Sequence, residues 1–112
     1  MQDHLLTAIV VDDEKPSREA LSTYIRDFCP NVKVVTECDN AKLAYQAILE
    51  HQPKLVFLDI EMPNGDGFDL LRMFKRIDFK VIFVTAFSEY AIQAFRFSAT
   101  DYLLKPDRKS VV

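Results

Sequence analysis

The stretch Leu55-Val56-Phe57-Leu58-Asp59 places four consecutive apolar residues directly before an aspartate. Two similar apolar runs, Ala8-Ile9-Val10-Val11 and Val81-Ile82-Phe83-Val84, lie on either side of it in the chain. Short runs of β-branched and aromatic residues that are apolar on both faces are typical of strands buried inside a parallel sheet. Two more polar runs, residues 32–36 and 101–105, are predicted to form edge strands.

The segments between these runs carry apolar residues at helical spacing, which predicts four helices. The recurring residues are Leu21, Tyr24, Ile25 and Phe28, then Ala41, Ala44 and Ile48, then Phe68, Leu71 and Phe74, then Tyr90, Ala91, Ala94 and Phe95. Pro16 fits the first turn of the first helix, where its missing N–H is not needed. The order β-α-β-α-β-α-β-α-β predicts an α/β fold with an open, doubly wound, parallel five-stranded sheet.

The composition is that of one small globular domain. The 112 residues are 49% hydrophobic and 28% charged, which allows a core without metal or disulfide support. A net charge of −3 argues against a nucleic-acid surface, and the apolar runs are far shorter than a membrane span. Cys29 and Cys38 lack the spacing of a metal site and are expected to be reduced thiols, which predicts a cytoplasmic protein.

Reactive side chains stand at the ends of four predicted strands. Asp12 and Asp13 follow the first strand, Asp59 follows the third, Thr85 ends the fourth and Lys105 ends the fifth. Binding sites in open α/β sheets form beyond the carboxyl ends of the strands, so these residues are expected to meet. Each one alone also has a purely structural explanation: an aspartate at a helix start or turn, a threonine as a cap, a lysine on an edge strand.

The three aspartates together indicate a cation, because clustered carboxylates repel one another unless a positive charge compensates them. Oxygen ligands suit a hard divalent ion, and we expect Mg²⁺. A carboxylate can attack phosphorus to give an aspartyl-phosphate, and Mg²⁺ and Lys105 would neutralise the charge of the transferring group. Thr85 would donate a hydrogen bond to a third oxygen, and Ala86 is small enough to leave room for the group.

The sequence resembles the receiver domain of bacterial two-component response regulators. The matching stretches are Val10-Val11-Asp12-Asp13-Glu14, Leu58-Asp59-Ile60-Glu61-Met62-Pro63-Asn64-Gly65-Asp66-Gly67, Val84-Thr85-Ala86 and Asp101-Tyr102-Leu103-Leu104-Lys105-Pro106. They occur in the right order and cover essentially the whole chain. The resemblance implies a flavodoxin-like fold with strand order 2-1-3-4-5 and a single receiver domain over residues 1–112.

The resemblance also implies a function for the acidic cluster. Asp59 would accept a phosphoryl group from a histidine of a sensor kinase. Asp13 and Asp59 would ligate Mg²⁺ directly, together with the backbone carbonyl of Glu61, and Asp12 would act mostly through water. The domain would assist its own phosphorylation and dephosphorylation and would not otherwise be an enzyme.

A conformational switch is implied in the same way. Thr85 and Lys105 would contact the phosphoryl oxygens, and Thr85 could do so in one rotamer and not in another. Tyr102 would then turn inward and remodel the face made by the fourth helix, the fifth strand and a final helix. The bond between Lys105 and Pro106 would be cis, and Gly67 would begin the third helix.

Residues 89–95 and 102–106 are similar to regulators that carry a LytTR-type DNA-binding output domain. This similarity implies transcription control by a full-length protein with a covalently attached DNA-binding domain. The chain itself is not expected to bind nucleic acid or a membrane.

Receiver domains continue with a fifth helix after the Lys-Pro turn, whereas only residues 107–112 follow Pro106. We therefore expect a fragment truncated before that helix. Apolar surface beside the fifth strand would then be exposed, which favours a homodimer or a strand-exchanged oligomer.

Three other functions stay open at this point. A Mg²⁺-dependent phosphohydrolase also uses an aspartate nucleophile, although in an Asp-x-Asp arrangement with a cap or second domain. A Rossmann nucleotide-binding module is disfavoured because no glycine follows the first strand. A phosphate-independent, receiver-like interaction module would have no need of the complete set of acids, threonine and lysine.

Overall fold

A computed structural model describes residues 5–63 and 65–105 and contains five strands. The strands are β1 (Leu6–Val11), β2 (Val32–Cys38), β3 (Leu55–Leu58), β4 (Lys80–Thr85) and β5 (Asp101–Leu104). They form one parallel sheet in the order β2-β1-β3-β4-β5. The predicted α/β class and strand order are confirmed, with β2 and β5 at the two edges.

Four helices connect the strands: α1 (Lys15–Phe28), α2 (Ala41–His51), α3 (Gly67–Arg72) and α4 (Ala91–Arg96). Pro16 lies in the first turn of α1, as expected. Asn40 caps α2 by accepting a hydrogen bond from the amide of Leu43. Asp66 and Asp69 form a reciprocal capping box that fixes the start of α3 at Gly67, as the resemblance implied.

Two hydrophobic clusters cover the two faces of the sheet. Because successive strand residues point to opposite faces, Ile9 packs into the cluster formed with α2, α3 and α4, whereas Val10 packs with Ile25 of α1. All four residues of the central strand β3 are buried, which explains why this strand reads as an unbroken apolar run. This double burial fixes the register that brings the strand ends together.

Three boundaries differ from the sequence expectations. The second strand continues to Cys38, because Glu37 and Cys38 pair with the end of β1. Helix α3 ends at Arg72, so Phe74 lies beyond it and packs against Tyr45. A single 3₁₀ turn, Ser88–Tyr90, precedes the short helix α4.

Apolar surface is exposed beside the edge strand β5. Leu103 and Leu104 are 43% and 57% exposed in the part of the chain that the structure describes.

Cys29 and Cys38 are both free thiols. Within residues 5–63 and 65–105, no helix has the length and apolar character needed to cross a bilayer.

Candidate functional site

The carboxyl ends of β1, β3, β4 and β5 converge on one group of polar side chains. Asp12, Asp13 and Asp59 each place a carboxylate oxygen within 4.8 Å of the other two. Asp12 and Asp59 are buried, whereas Asp13 is only half-buried. The structure therefore brings together the acids that the sequence placed at separate strand ends.

Lys105 joins this cluster from the end of β5. Its Nζ atom lies 2.6 Å from Oδ2 of Asp12 and 2.9 Å from Oδ2 of Asp59. All three side chains are largely withdrawn from water, with exposed fractions of 14%, 7% and 8% for Lys105, Asp12 and Asp59. The ammonium group thus bridges two buried carboxylates.

Backbone amides orient the two buried acids. Oδ1 of Asp12 accepts a hydrogen bond of 2.9 Å from the amide of Glu14. Oδ1 of Asp59 accepts one of 2.8 Å from the amide of Ile60. In each acid Oδ2 is the oxygen that contacts Lys105, so the two carboxylates are held in defined rotamers.

The electrostatics of the site favour an added cation. Burial raises the pKa of Asp59, and the hydrogen bond and charge of Lys105 only partly offset that effect. Burial also raises the pKa of Asp13, and the negative charge of Asp12 raises it further. Burial alone would lower the pKa of Lys105, but its bonds to Asp12 and Asp59 raise it overall. The site therefore holds more negative charge than its one ammonium group stabilises.

Gly67 lets the start of α3 approach the backbone of Asp59. A Cβ atom at position 67 would lie 2.6 Å from the carbonyl oxygen of Asp59, far inside van der Waals contact. The amide of Gly67 donates to the carbonyl of Ile60 at 2.8 Å, which ties the loop after β3 to this helix start. The sequence predicted a glycine at the helix start but not this contact.

Thr85 and Ala86 lie at the end of β4, next to the acids. Thr85 is completely buried, and its Oγ1 accepts a hydrogen bond of 3.4 Å from the amide of Phe87. A hydrogen bond from the Thr85 side chain also lowers the pKa of Asp59. Ala86 is exposed, so the position beside Thr85 carries only a methyl group.

Two tyrosines tie the segment after β4 to its neighbours. The hydroxyl of Tyr102 donates to the carbonyl of Phe87, and its ring packs against Phe83. Burial raises the pKa of Tyr102. The hydroxyl of Tyr90 donates to the carboxylate of Glu61 at 2.5 Å, and this bond raises the pKa of Tyr90 to about 12. Helical spacing had assigned Tyr90 to a packing face and did not reveal this contact.

Two expectations lie partly or wholly outside what the structure describes. Glu61 is exposed in the loop directly after Asp59, where its backbone carbonyl remains a predicted ligand. Pro106 lies outside the described residues, and so does the predicted cis bond between Lys105 and Pro106.

The donor set fits Mg²⁺. Three carboxylates with oxygens within 4.8 Å of one another supply the hard oxygen ligands that this ion requires. Burial raises the pKa values of Asp13 and Asp59 and so disfavours their ionised forms, which a divalent cation would favour.

The family model of the response regulator receiver domain matches residues 8–112 of this chain. An uncharacterized response regulatory protein of Vibrio parahaemolyticus is 48% identical over 103 residues, covering 91% of this chain and 42% of the relative. The sensory transduction protein LytT of Bacillus anthracis is 34% identical over 111 residues, covering 96% of this chain and 45% of LytT. The chain thus spans less than half the length of these curated relatives.

A solved structure of the response regulator TrrA from Thermotoga maritima, described as a complex with Mg(2+)-BeF, is also similar. It superimposes with a TM-score of 0.79 at 29% sequence identity, covering 95% of this chain and 91% of TrrA.

Proposed function

This chain belongs to the response regulator receiver domain family of two-component systems, and from that premise we propose that it is a phosphorylation-dependent signalling switch with Asp59 as the phosphoacceptor. The observation that carries the proposal is the convergence of three carboxylates and one ammonium group at a single sheet edge. The backbone amide of Ile60 donates a hydrogen bond to Oδ1 of Asp59, while Oδ2 faces Lys105. The Asp59 side chain is 8% exposed. The Asp59 carboxylate is thus held in one orientation, with a small part of its surface open to solvent.

The reaction is a phosphoryl transfer from a histidine of a sensor kinase. An oxygen of Asp59 forms a bond to phosphorus while the bond between phosphorus and the histidine nitrogen breaks, and the nitrogen keeps the electron pair. The Nζ atom of Lys105 lies within hydrogen-bond distance of Oδ2 of Asp59. Its positive charge offsets the negative charge of the transferred phosphoryl group. Thr85 supplies a hydroxyl beside the carboxylate, and the small Ala86 leaves space there.

We assign Asp13 and Asp59 as direct ligands of Mg²⁺, with the backbone carbonyl of Glu61, and Asp12 as a residue that acts mostly through water. When bound, Mg²⁺ supplies positive charge that offsets the charge of the phosphoryl group. The closeness of the three carboxylates and the raised pKa values of Asp13 and Asp59 support this assignment. The description of TrrA with Mg(2+)-BeF supports it from a relative.

The signal passes from Thr85 to Tyr102 through the segment that follows β4. Phosphorylation adds about −1.5 to −2 charge and three acceptor oxygens beside Thr85. If the Thr85 hydroxyl turns to bond an added oxygen, the segment carrying Phe87 moves with it. Tyr102 is half-buried and holds the Phe87 carbonyl, so a shift of that segment reaches the surface of α4 and β5.

The partners follow from this assignment. We propose a sensor histidine kinase as the phosphodonor and a LytTR-type DNA-binding output domain in the full-length cytoplasmic protein, in line with the similarity to LytT. Exposed Leu103 and Leu104 on the edge strand favour homodimerisation or strand exchange. The chain is proposed to act as a phosphoacceptor and not as an enzyme on other substrates.

Phosphorylation with a small acyl phosphate tests the proposal. In MgCl₂ and acetyl phosphate, intact-mass spectrometry should show one added phosphoryl group on the wild-type chain and none on Asp59→Asn. Asp78→Asn is the matched control, because Asp78 is an exposed aspartate that pairs with Arg76 away from the site. Chelating Mg²⁺ should prevent the labelling.

Labelling of Asp59→Asn at the wild-type level would overturn the assignment of the phosphoacceptor. A wild-type chain that neither labels nor changes its NMR spectrum with Mg²⁺ and beryllofluoride would instead be a phosphate-independent interaction module. Turnover of a small phosphate ester would indicate a phosphohydrolase.

A further inference from the structure

Arg18 is a partly buried residue of α1, and its guanidinium group points toward the acidic turn, which is formed by Asp12 and Asp13 after β1. Its Nη1 donates a hydrogen bond of 2.8 Å to the backbone carbonyl of Asp12. Its Nε lies 3.5 Å from Oε1 of Glu37, and the side chain is only 16% exposed. One guanidinium group therefore contacts both the end of β1 and the end of β2.

Glu37 is itself held in place, so it can act as an anchor. The hydroxyl of Ser22, one turn further along α1, donates to Oε2 of Glu37 at 2.8 Å. Cys38 is the next residue in β2, and its backbone carbonyl accepts a hydrogen bond of 3.0 Å from the amide of Asp12. Arg18, Ser22 and Glu37 thus form a bridge from α1 across β2 to the residue that begins the acidic turn.

The contact with the carbonyl of Asp12 has a direct geometric consequence for Asp13. That carbonyl belongs to the planar peptide group that links Asp12 to Asp13. Fixing its direction fixes the plane from which the Asp13 side chain departs. The amide of Asp12, its Oδ1 and its Oδ2 are already bonded to Cys38, Glu14 and Lys105, so Arg18 completes the restraint of this residue.

We infer that Arg18 is a positioning residue for the Mg²⁺ site, which orients the Asp12–Asp13 peptide so that both carboxylates face the cation. The inference rests on the proposed function and concerns a residue that does not itself touch the metal. A flexible turn would have to be ordered when the ion binds, and a restrained turn has that ordering in place beforehand. Arg18 should therefore raise Mg²⁺ affinity, although it is a cation close to a cation site.

That sign makes Arg18→Met a decisive variant. Methionine keeps an unbranched apolar stem but removes the hydrogen bond to the Asp12 carbonyl, the ion pair with Glu37 and the positive charge. Loss of a positive charge alone would strengthen Mg²⁺ binding by removing Coulomb repulsion. Loss of positioning should weaken it, by about tenfold if Arg18 acts at the low end of the usual 10–100-fold effect of partners outside the metal ligands. Titration of amide chemical shifts with MgCl₂ measures the Kd without any need for activity.

Two further variants grade the effect. Arg18→Lys keeps the charge and one donor for the Asp12 carbonyl but cannot also reach Glu37 in the same geometry, so its Mg²⁺ Kd should be intermediate. Glu37→Gln weakens the anchor and leaves the contact of Arg18 with Asp12, so its Mg²⁺ Kd should rise, but by less than that of Arg18→Met. These milder changes still decide the question if Arg18→Met does not fold.

Arg26→Met is the matched control, because Arg26 lies on the same helix, is 73% exposed and pairs only with its neighbour Asp27 among the described residues. Its Mg²⁺ Kd should equal that of the wild type. Hydrogen exchange of the Glu14 amide in metal-free protein is a second readout, since this amide is bonded to Oδ1 of Asp12. It should accelerate in Arg18→Met and not in Arg26→Met.

An unchanged or tighter Mg²⁺ Kd in folded Arg18→Met would overturn the inference, even if the melting temperature fell. Equal weakening in Arg26→Met would also overturn it, by showing a general effect of α1. Failure of the wild-type chain to bind Mg²⁺ at all would instead count against the proposed function.

Discussion

The Nζ atom of Lys105 lies 2.9 Å from Oδ2 of Asp59, the carboxylate proposed to accept the phosphoryl group. The same nitrogen lies 2.6 Å from Oδ2 of Asp12, so one ammonium group stabilises two buried negative charges. A buried carboxylate without its partner is costly, typically by about 3–5 kcal/mol. Lys105 therefore contributes to folding as well as to the proposed chemistry.

Lys105→Met should separate these two contributions. We expect the metal-free variant to be about 2–3 kcal/mol less stable, somewhat below the cost of breaking a fully buried ion pair, because the site stays partly open to water. Added Mg²⁺ should restore part of that stability, whereas the rate of labelling by acetyl phosphate should stay low. Urea denaturation with and without MgCl₂, followed by mass spectrometry, measures both effects.

Lys80→Met is the control for this variant, because Lys80 is an exposed lysine at the start of β4, at the opposite end of the sheet. Its stability and its labelling rate should match those of the wild type. If Lys105→Met were as stable as Lys80→Met in the absence of Mg²⁺, the bridge between the two acids would not be a stabilising contact.

Asp13→Asn should stabilise the metal-free chain and weaken Mg²⁺ binding. The pKa of Asp13 is raised in the folded protein, first by burial and then by Asp12, so ionisation of Asp13 opposes folding. Asp13 is only half-buried and water screens its charge, so the gain should be no more than a few tenths of a kcal/mol, or a rise in melting temperature of roughly 1–4 °C at pH 7. The Mg²⁺ Kd should rise at least tenfold, because a proposed direct ligand is lost.

The pH dependence of this gain has a defined sign. Below the ordinary pKa of an aspartate, 3.8, Asp13 is protonated in both states and the variant should gain nothing over wild type. As the pH rises through that value the unfolded chain ionises first, so the wild type loses stability relative to Asp13→Asn. A gain that was largest at pH 3 would contradict this account.

The layout of the site was predictable from the sequence because it depends on which residue follows each buried strand. Three apolar runs that lead to Asp12, Asp59 and Thr85, and a more polar run that ends in Lys105, define both the sheet and the edge where the candidate site lies. The pattern of side chains was enough to predict this layout, because parallel strands bring their carboxyl ends to the same edge of the sheet.

What the sequence could not predict are contacts that depend on backbone groups or on the meeting of distant loops. Arg18 bonds a carbonyl oxygen, and carbonyl oxygens are the same at every position of a sequence. Tyr90 and Glu61 meet across 29 positions, and the spacing of Tyr90 suggested only a packing role. The length of β2 was underestimated because the polar Glu37 lies on an edge strand, where pairing tolerates polar residues.

Tyr102→Phe should leave phosphorylation intact and weaken the conformational response. The hydroxyl of Tyr102 is the atom that holds the Phe87 carbonyl, whereas its ring packs against Phe83 and would remain in the variant. Beryllofluoride with Mg²⁺ should then cause smaller amide shift changes in α4 and β5, by about half, with unchanged labelling by acetyl phosphate. This magnitude assumes loss of one hydrogen bond of about 1 kcal/mol.

Tyr45→Phe is the control for Tyr102→Phe, since Tyr45 packs against Phe74 on another part of the surface. Its shift changes should match those of the wild type. Wild-type shift changes in Tyr102→Phe would remove the hydroxyl of Tyr102 from the proposed route.

Gly67→Ala should damage both stability and the site, because its Cβ would lie 2.6 Å from the carbonyl oxygen of Asp59. The helix start or the Asp59 backbone must move, and such overpacking costs about 1–3 kcal/mol. Gly65→Ala separates the two effects. Gly65 has φ of +120°, which strains an alanine, but among the residues that the structure describes its Cβ would meet only the Ala41 side chain, at 3.6 Å. Urea denaturation should show that both variants are destabilised. Labelling by acetyl phosphate should be slower in Gly67→Ala and unchanged in Gly65→Ala. Equal labelling rates in the two variants would show that the close approach at position 67 serves packing alone.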